Sequence, residues 1–487
     1  MIHRTRSFSW IMVSLPLLIM ISCSSPQIED VQREFAELRF GMFLHFGIRT
    51  FTGGKWGEAN QDITRFTPDS LDCGQWADAA AAAHMKFGIL TTKHHDGFCL
   101  WNSAYSDFDV ANIPWRNGTG DVVREYVDAF RSRGLEPSLY YSVWDNTEGI
   151  GNGPVTEAHM DIIKGQLTEL LSNYGDIPML FIDGWSWKTG HVEVPYPEIH
   201  ALVRELQPRC LLVDNTHLPC LYHNDLIHYE AGGSCPEDNR LPALLSKRIN
   251  THGGNGWFWN PEIPEANLMD ADTLHADLLY LEPRWCTYIL NCPPNTDGRL
   301  DTNIVNRLEA VGKLWFPDLS RPELPEQHAQ IETYILPDTA TASSGDANRA
   351  IDAKNDRYNY SVWESSGNLP QSFTLRFNRI VRDINMLYYI PKYVPIVSPR
   401  EEGSIQSYRL DASLDGTQFT EITRGEWNGD AKMKVAVFSP VNTRYIRLEI
   451  LTAVDGFAAA TEIAVGRGSS GEVPAAQASS SVLFHFE

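Results

Sequence analysis

The chain carries little positive charge, and this shortage excludes two classes of partner. Its 487 residues include 40 Lys and Arg against 62 Asp and Glu, which gives a formal net charge of −22 at pH 7. Nucleic acids and anionic membrane surfaces are both bound by basic faces that attract phosphate groups. We therefore expect no nucleic acid partner and no electrostatic binding to a membrane surface.

Cysteine is also scarce, and its spacing is not that of a metal site or a disulfide framework. Apart from Cys23, the seven cysteines stand at positions 73, 99, 210, 220, 235, 286 and 292, without any C-x-x-C pair. Structural zinc sites and small disulfide-rich domains both use closely spaced cysteines. Most of these side chains are expected to be buried as small apolar groups.

Long apolar runs are missing except near the N-terminus, where Trp10 to Ile21 is too short to span a bilayer comfortably. Arg4 and Arg6 precede this run, and it leads into Ser22-Cys23. A basic start, a short apolar stretch and a small residue before Cys are typical of a bacterial lipoprotein signal. Ordinary signal cleavage or an uncleaved anchor is the alternative.

We therefore expect residues 1–23 to be a signal in which Cys23 becomes the lipidated first residue of the mature chain. The membrane would then be contacted only through that lipid anchor. The expected location is the bacterial cell envelope, on its periplasmic side, with exposure on the cell surface left open.

From about residue 38 to 316 the chain alternates strand-like and helix-like segments. The predicted strands are 40–46, 87–95, 137–144, 178–182, 210–213, 226–229 and 287–290; the predicted helices are 71–85, 121–131, 160–174, 196–206, 270–281 and 302–315. The segment 242–260, rich in glycine, is predicted to be irregular. Right-handed crossovers leave a (β/α)8 barrel or a doubly wound sheet. No dinucleotide-binding glycine motif and no P-loop occurs among these segments.

Polar residues gather where several of the predicted strands end, and they decide between the two folds. They are His45, His94, His95, Trp144, Asp145, Asp183, Glu230 and Asn291. Convergence of many strand ends on one site is typical of the barrel. We predict an α/β fold, a (β/α)8-type TIM barrel over residues 30–318, with its site at the C-terminal ends of the strands.

The densest polar cluster, Lys93-His94-His95-Asp96, directly follows a buried strand. Buried ionisable groups lose hydration, so they persist where they are paired or functional. Two adjacent histidines beside an Asp also raise a metal site, but consecutive residues of a strand point to opposite faces, so we expect no metal and no cofactor. Imidazoles that hydrogen-bond sugar hydroxyls fit better, and a hydrogen-bonded corner without chemistry is the alternative.

Two carboxylates end two of the apolar strands. Asp183 follows Met179 to Ile182, and no helix begins until about residue 196, which weakens its interpretation as a helix N-cap. Glu230 ends a second strand. A pair of carboxylates that flank a sugar is typical of a glycosidase, with retention at a separation of about 5 Å and inversion at about 6.5–9.5 Å. The sequence does not give this distance, and it leaves Glu237 or Glu58 open as the second acid.

Residues 38–316 resemble glycoside hydrolase family 29, the α-L-fucosidases. The matching pieces are Phe40–Gly47, Thr92–Phe98, Leu139–Ser142, Ile182–Gly184 and Ile289–Gly298. Further pieces, at Thr50–Phe51, Lys55–Gly57, Phe98–Trp101 and Ser142–Asp145, are similar to the subgroup that prefers α-1,3/1,4-linked fucose. The resemblance implies an exo-acting, retaining α-L-fucosidase whose substrates are fucosylated oligosaccharides or glycoprotein glycans.

The resemblance also implies roles for single residues. Asp183 matches the nucleophile and Glu230 the acid/base; His45, His94 and His95 match the histidines that bind fucose hydroxyls, and Tyr140 and Trp56 match further pocket residues. Trp257, with Trp259, would line the pocket at the apolar face of the sugar, or would belong to the barrel core. Two rival functions stay open: a non-catalytic glycan-binding lipoprotein, and an α-galactosidase on the same scaffold.

The C-terminal part has a different pattern. After a Pro-rich linker at 319–330, residues 331–466 contain short alternating runs separated by turns, which indicate an antiparallel β-sandwich. This part resembles the coagulation factor 5/8 type C (discoidin) family, a galactose-binding-like sandwich. The resemblance leaves open whether the domain binds sugar, holds calcium or braces the barrel. Residues 467–487, rich in Ser, Ala and Gly, are predicted to be a flexible tail.

Overall fold

A computed structural model describes residues 28–190, 193–215, 225–230, 243–251, 256–260, 265–321, 329–352, 361–394, 398–399, 401–430, 434–470 and 483–484. The helices are α1 Ile28–Ala36, α2 Ile48–Thr52, α3 Cys73–Ala82, α4 Val122–Arg131, α5 Glu157–Asn173, α6 Tyr196–Leu206, α7 Ala271–Leu281 and α8 Thr302–Leu314. The predicted signal, including Cys23, lies outside the described residues. Among those residues, no helix is both long and apolar enough to cross a membrane.

Eight strands of the N-terminal part form one parallel sheet. They are β1 Phe40–Leu44, β2 Phe87–Lys93, β3 Glu136–Ser142, β4 Met179–Asp183, β5 Leu211–Asp214, β6 Ile227–Glu230, β7 Ala243–Arg248 and β8 Cys286–Asn291. Their order is β5-β4-β3-β2-β1-β8-β7-β6. The two end strands, β5 and β6, lie close together: just before β6, the Asp225 backbone N–H donates to the carbonyl oxygen of Leu212 in β5 at 3.0 Å. The sheet is therefore nearly closed, and the predicted TIM-barrel fold is confirmed.

Alternate residues of each barrel strand belong to two different cores. Phe43 of β1 packs inside the barrel, in one cluster with Tyr140 and Phe181. Its neighbours Met42 and Leu44 belong to the larger cluster between the sheet and the surrounding helices. Strands that are buried on both faces are expected to read as continuous apolar runs, which is why this sheet was recognisable from sequence.

The prediction of an irregular segment over 242–260 is wrong at its start, because this segment contains strand β7. Only Ala243, Leu244 and Leu245 are apolar, and Ser246-Lys247-Arg248 completes the strand with polar residues. Such a short apolar run gives little signal of its own. The strand exists because β6 and β8 pair with it on both sides.

The C-terminal part is built mainly of antiparallel strands, as predicted. They are β9 Ala329–Ile335, β10 Thr339–Ala342, β11 Trp363–Glu364, β12 Gln371–Ile390, β13 Tyr393–Val394, β14 Ser398–Pro399, β15 Ile405–Ser413, β16 Thr420–Glu426, β17 Lys434–Ala453, β18 Ala459–Ala460, β19 Glu462–Ser470 and β20 Leu483–Phe484. The main sheet runs in the order β16-β15-β17-β12-β19-β9-β20, with β10 on β12. The pair β20–β9 is parallel.

The tail predicted to begin at 467 starts inside a strand. Strand β19 continues to Ser470, where it pairs with β9. Residues 471–482 and 485–487 lie outside the described residues. The other domain bounds, including the linker at 319–330, stay predictions.

Candidate active site

A cavity of about 450 Å³ opens at the C-terminal ends of the barrel strands. Its walls are formed by Phe43, His45, Trp56, His95, Tyr140, Trp144, Phe181, Asp183, Trp187, Asn215, His228, Glu230, Ser246 and Trp257. The cavity is large enough for one sugar ring, and it combines aromatic walls with a few convergent polar groups, as small-molecule sites do.

The structure brings together the residues that the sequence singled out. Seven of the eight predicted site residues line the cavity: Asp183, Glu230, His45, Trp56, His95, Tyr140 and Trp257. The eighth, His94, is buried between them, with its ring 4.7 Å from Trp56 and 4.0 Å from His95 between centroids.

The sequence left Trp259, Glu58 and Glu237 open as further site residues. Trp259 does not line the cavity, and its indole N–H donates to Asp301 at 2.7 Å. Glu58 is exposed on the loop after Trp56, where it accepts the Lys55 backbone N–H at 2.8 Å. Glu237 lies outside the described residues.

Asp183, the last residue of β4, accepts four hydrogen bonds. The Tyr140 hydroxyl donates to Oδ2 at 2.8 Å. Oδ1 accepts the Trp187 indole N–H at 2.8 Å, the Asn215 amide at 3.1 Å and the Gly184 backbone N–H at 2.6 Å. A carboxylate that accepts this many donors is held in one orientation and favoured in its charged form.

The electrostatic balance at Asp183 favours ionisation. Burial by itself raises the pKa of this carboxyl, because it removes water from the charge. In the acid range where this carboxyl titrates, the charge of protonated His95, whose Nε2 lies 3.7 Å from Oδ2, and the hydrogen bonds from Trp187 and Tyr140 outweigh burial and hold the pKa of Asp183 below its usual value. The carboxylate is therefore charged at neutral pH.

The three histidines are neutral. Burial lowers the pKa of His45 to about 3 and that of His95 to about 4, and it lowers the pKa of His94 well below its usual value. Neutral imidazoles each offer one N–H and one lone pair. They can therefore both donate to and accept from the hydroxyl groups of a bound molecule.

Hydrogen bonds fix which nitrogen carries the proton in two of these rings. The Asn291 amide N–H donates to the Trp257 carbonyl oxygen, so its Oδ1 accepts Nδ1–H of His45 at 2.7 Å. In the same way, the Ser142 hydroxyl donates to the Trp144 carbonyl oxygen at 2.6 Å, so its oxygen accepts Nδ1–H of His95 at 2.7 Å. In both rings Nε2 is left with its lone pair.

The expectation that His94 and His95 point to opposite faces is wrong. Strand β2 ends at Lys93, not at residue 95, so strict alternation no longer applies to the two residues that follow it. Both rings contact Trp56. One ligand atom each from His94, His95 and Asp183 lie within 4.8 Å of one another, which is a grouping that could hold a metal ion.

Lys93 belongs to the same sequence cluster but does not line the cavity. Its ammonium group is fully buried and donates to Asp145 at 2.9 Å, to Gln166 at 2.9 Å and to the Tyr141 hydroxyl at 3.1 Å. These partners lie on the outer side of β2, facing helix α5. Of this cluster, Lys93 is structural, His95 lines the cavity, and His94 is buried directly behind it against Trp56.

Sequence reasoning missed several residues of the cavity wall. Asn215 directly follows strand β5, so its position at a strand end was a usable signal. His228 stands two residues before Glu230 in β6 and shares its face, and it bonds Asn215 Oδ1 and Ser246 Oγ at 2.8 Å each. Trp187 gave no such signal, because it lies in an irregular helical turn four residues after Asp183.

Comparison with known proteins decides the family. The model of the family described as "Alpha-L-fucosidase" matches residues 21–317, which is more than half of the chain. The chain belongs to this alpha-L-fucosidase family. A second model, that of the "F5/8 type C domain", matches residues 337–463 in the C-terminal part.

Relatives agree with this assignment over the same part of the chain. A protein of Oryza sativa subsp. japonica provisionally named alpha-L-fucosidase 1 is 35% identical over 309 residues, covering 58% of this chain and 57% of that protein. Alpha-L-fucosidase 1 of Arabidopsis thaliana is 31% identical over 312 residues, covering 59% of this chain and 60% of that protein. The match thus spans less than two thirds of either relative.

Solved structures share the fold. A Bacteroides thetaiotaomicron protein provisionally named as an alpha-L-fucosidase aligns with a TM-score of 0.51 at 22% identity, over 91% of this chain and 98% of that one. A glycoside hydrolase 29 family member from a rumen bacterium aligns with a TM-score of 0.50 at 21% identity, over 90% and 98%.

Proposed function

We propose that this family member is an exo-acting, retaining α-L-fucosidase that releases terminal α-1,3/1,4-linked L-fucose from glycans. The observation that carries the proposal is Asp183. It is a buried, ionised carboxylate oriented by four hydrogen bonds, in a cavity that Glu230 and the imidazoles of His45 and His95 also line. Family membership and the names of the relatives supply the sugar.

In the proposed first step, Asp183 attacks the anomeric carbon of the fucose. Glu230, protonated, donates its proton to the glycosidic oxygen as the bond between carbon and oxygen breaks. A glycosyl ester on Asp183 and a free alcohol result. In the second step Glu230 takes a proton from water, the water oxygen attacks the anomeric carbon, and the ester to Asp183 breaks with net retention.

The hydrogen bonds on Asp183 favour one of its oxygens as the nucleophile. Oδ1 accepts three donors, whereas Oδ2 accepts the Tyr140 hydroxyl alone among the described residues. The oxygen with fewer hydrogen bonds has less stabilisation to lose when it forms a covalent bond. We therefore assign the attack to Oδ2, with Oδ1 held in place by the backbone, an indole and an amide.

Tyr140 connects the two carboxylates electrostatically. Burial, and then the charges of Asp183 and Glu230, raise the pKa of Tyr140 well above its usual value. Its hydroxyl therefore stays protonated and remains a hydrogen-bond donor to Oδ2 throughout the reaction. Tyr140 thus steadies the nucleophile and takes no part in proton transfer.

The substrate preference is supported by the sequence resemblance to the α-1,3/1,4-preferring subgroup and by the aromatic wall. Four tryptophans line the cavity: Trp56, Trp144, Trp187 and Trp257. Aromatic faces pack well against the apolar faces of sugar rings. We propose fucosylated oligosaccharides or glycoprotein glycans as the substrates, reached from the cell envelope by a chain anchored through a lipid on Cys23.

The experiment that tests the proposal is product analysis by NMR. A Lewis-type trisaccharide and an α-1,2-fucosylated disaccharide are incubated separately with the purified protein. The α-anomer of L-fucose should appear first, and from the Lewis-type substrate. The matched control is Asp183→Asn, which keeps the shape of the side chain and removes its charge, and which should release no fucose.

Three other results would contradict parts of the proposal. Release of the β-anomer first would overturn retention. Equal release from both substrates would overturn the linkage preference. Absence of fucose from both would leave a glycan-binding role or an α-galactosidase activity as the better interpretation.

A further inference from the structure

We propose that the same cavity binds a divalent transition-metal ion of the Zn²⁺ class through His94, His95 and Asp183, and that bound metal and bound sugar exclude each other. The observation that raises this proposal is a set of buried polar atoms with no partner. Both ring nitrogens of His94 and Nε2 of His95 have no hydrogen-bond partner among the described residues. Both rings are at least 96% buried, with exposed fractions of 4% and 0%.

The geometry of the three side chains suits a small cation. Their ligand atoms lie within 4.8 Å of one another, and His95 Nε2 is 3.7 Å from Asp183 Oδ2. In a tetrahedral zinc site with bonds of about 2.0–2.1 Å, neighbouring ligand atoms are about 3.3 Å apart. A closing movement of a few tenths of an ångström brings His95 and Asp183 to that spacing.

The surrounding hydrogen bonds prepare two of the ligands. A metal-bound histidine normally donates its other ring N–H to a nearby acceptor, which fixes the lone pair toward the metal. His95 already does this, because its Nδ1–H donates to Ser142 Oγ and leaves Nε2 as a lone pair beside Asp183. Asp183 is equally prepared, since Oδ1 is held by three donors and Oδ2 faces His95.

The ligand set selects the class of ion. Two imidazoles and one carboxylate suit zinc, copper and nickel, whereas magnesium and calcium prefer sets made of oxygen atoms. Three protein ligands leave a fourth position for water, which the cavity can accommodate. Such an ion would occupy the space beside Oδ2 and withdraw its electron pair, so Asp183 could not attack a sugar while the metal is bound.

The metal site itself does not depend on the proposed function, but its competition with sugar does. Zn²⁺ binding to the tag-free, chelator-treated full chain is measured by isothermal titration calorimetry. We expect one site per chain, and a loss of affinity of at least tenfold in His94→Ala and His95→Ala. Ser142→Ala, which removes only the acceptor of His95 Nδ1–H, should weaken binding by about 10–100-fold.

The matched control is His275→Ala on helix α7, a partly exposed histidine far along the chain from the site, which should leave the affinity unchanged. Circular dichroism verifies that each variant is folded. If the buried histidine variants do not fold, the visible absorption of bound Co²⁺ is measured instead, in the wild-type chain and in Ser142→Ala. A tetrahedral Co²⁺ site absorbs strongly, and Ser142→Ala should weaken this absorption.

The outcomes separate the two proposals. No Zn²⁺ binding, or equal affinity in the wild-type chain, His94→Ala and Ser142→Ala, overturns the metal site. Zn²⁺ binding that needs His94 and is displaced by L-fucose supports both the site and the sugar position. Binding that needs His94 but is indifferent to L-fucose keeps the metal site and contradicts the proposed place of the sugar.

Discussion

Replacing Lys93 by methionine should destabilise the barrel strongly, although the two side chains are similar in length. Lys93 and its partner Asp145 are both fully buried, and their ion pair measures 2.9 Å. Burial by itself lowers the pKa of Lys93, but the charge of Asp145 outweighs it and leaves the pKa raised. Methionine would therefore leave Asp145 as a buried carboxylate without its cation.

The magnitude follows from the cost of an unpaired buried charge. Removing one partner of a buried ion pair costs about 3–5 kcal/mol, because the remaining charge has lost both water and its counterion. For large domains about 1 kcal/mol changes Tm by about 2–4 °C, so Tm should fall by about 10 °C. Equilibrium unfolding in urea measures the free energy, and a thermal scan measures Tm.

A second substitution tests the reason for the loss. Asp145→Asn keeps Oδ1 as acceptor for the backbone N–H groups of Thr147 and Glu148 and removes the charge. The double variant Lys93→Met with Asp145→Asn should therefore be more stable than Lys93→Met alone, by about 1–3 kcal/mol. The control is Lys164→Met, which breaks an exposed pair with Glu198 and should cost less than about 1 kcal/mol.

Two results would refute the reasoning. The first is a Lys93→Met variant whose free energy of unfolding lies within about 1 kcal/mol of the wild-type value. The second is a double variant that is less stable than Lys93→Met, because the loss would then come from packing and not from the uncompensated charge of Asp145.

Three further predictions concern the site. Trp187→Phe removes a hydrogen bond to the ionised Asp183, which is worth about 1.5–3 kcal/mol. The pKa of Asp183 should therefore rise, and the acidic limb of the pH profile of kcat/KM should move upward by about one pH unit or more. An acidic limb that does not move would show that Asp183 does not set it. Burial lowers the pKa of His95 to about 4, so the unfolded chain takes up this proton first as the pH falls from about 6.5. The contribution of His95 to stability should be complete above that pH and fall by about 2 kcal/mol between about pH 7.5 and 5. In urea unfolding, the wild-type chain should therefore lose about 2 kcal/mol more than His95→Gln over this range. Asn146 accepts the Trp144 indole N–H at 2.7 Å and donates to the Gly57 carbonyl oxygen, so it holds one tryptophan of the cavity wall in place. Asn146→Ala should raise KM for a branched glycan about tenfold, equivalent to about 1.4 kcal/mol, and leave kcat for a small aryl fucoside unchanged; an equal effect on both substrates would contradict a role limited to positioning Trp144.

Those features that depend on neighbours along the chain were predictable from sequence. The periodicity of Val122, Val123, Tyr126, Val127 and Phe130 indicated helix α4, and all five side chains are buried on one face. The apolar runs that end in Asp183 and Glu230 indicated strands whose last residue is polar. The repeated order of strand and helix then favoured the barrel, because parallel strands need crossover connections.

Features that depend on the pairing of strands were not predictable. Strand β7 has too few apolar residues to be recognised alone, and it forms because β6 and β8 supply hydrogen bonds on both sides. The donors on Asp183 show the same dependence, since Asn215 reaches it only because β5 lies beside β4.

The sequence by itself determined which residues could carry chemistry: carboxylates, imidazoles and tryptophans placed where strands end. The tertiary structure alone decided how they act on one another. It ended β2 at Lys93, so that His95 lines the cavity and His94 packs beside it against Trp56, and it paired Lys93 with Asp145, 52 residues away. The physical reason is that hydrophobic periodicity is a local property of the chain, whereas burial and hydrogen bonding are set by strand order and by where each strand stops.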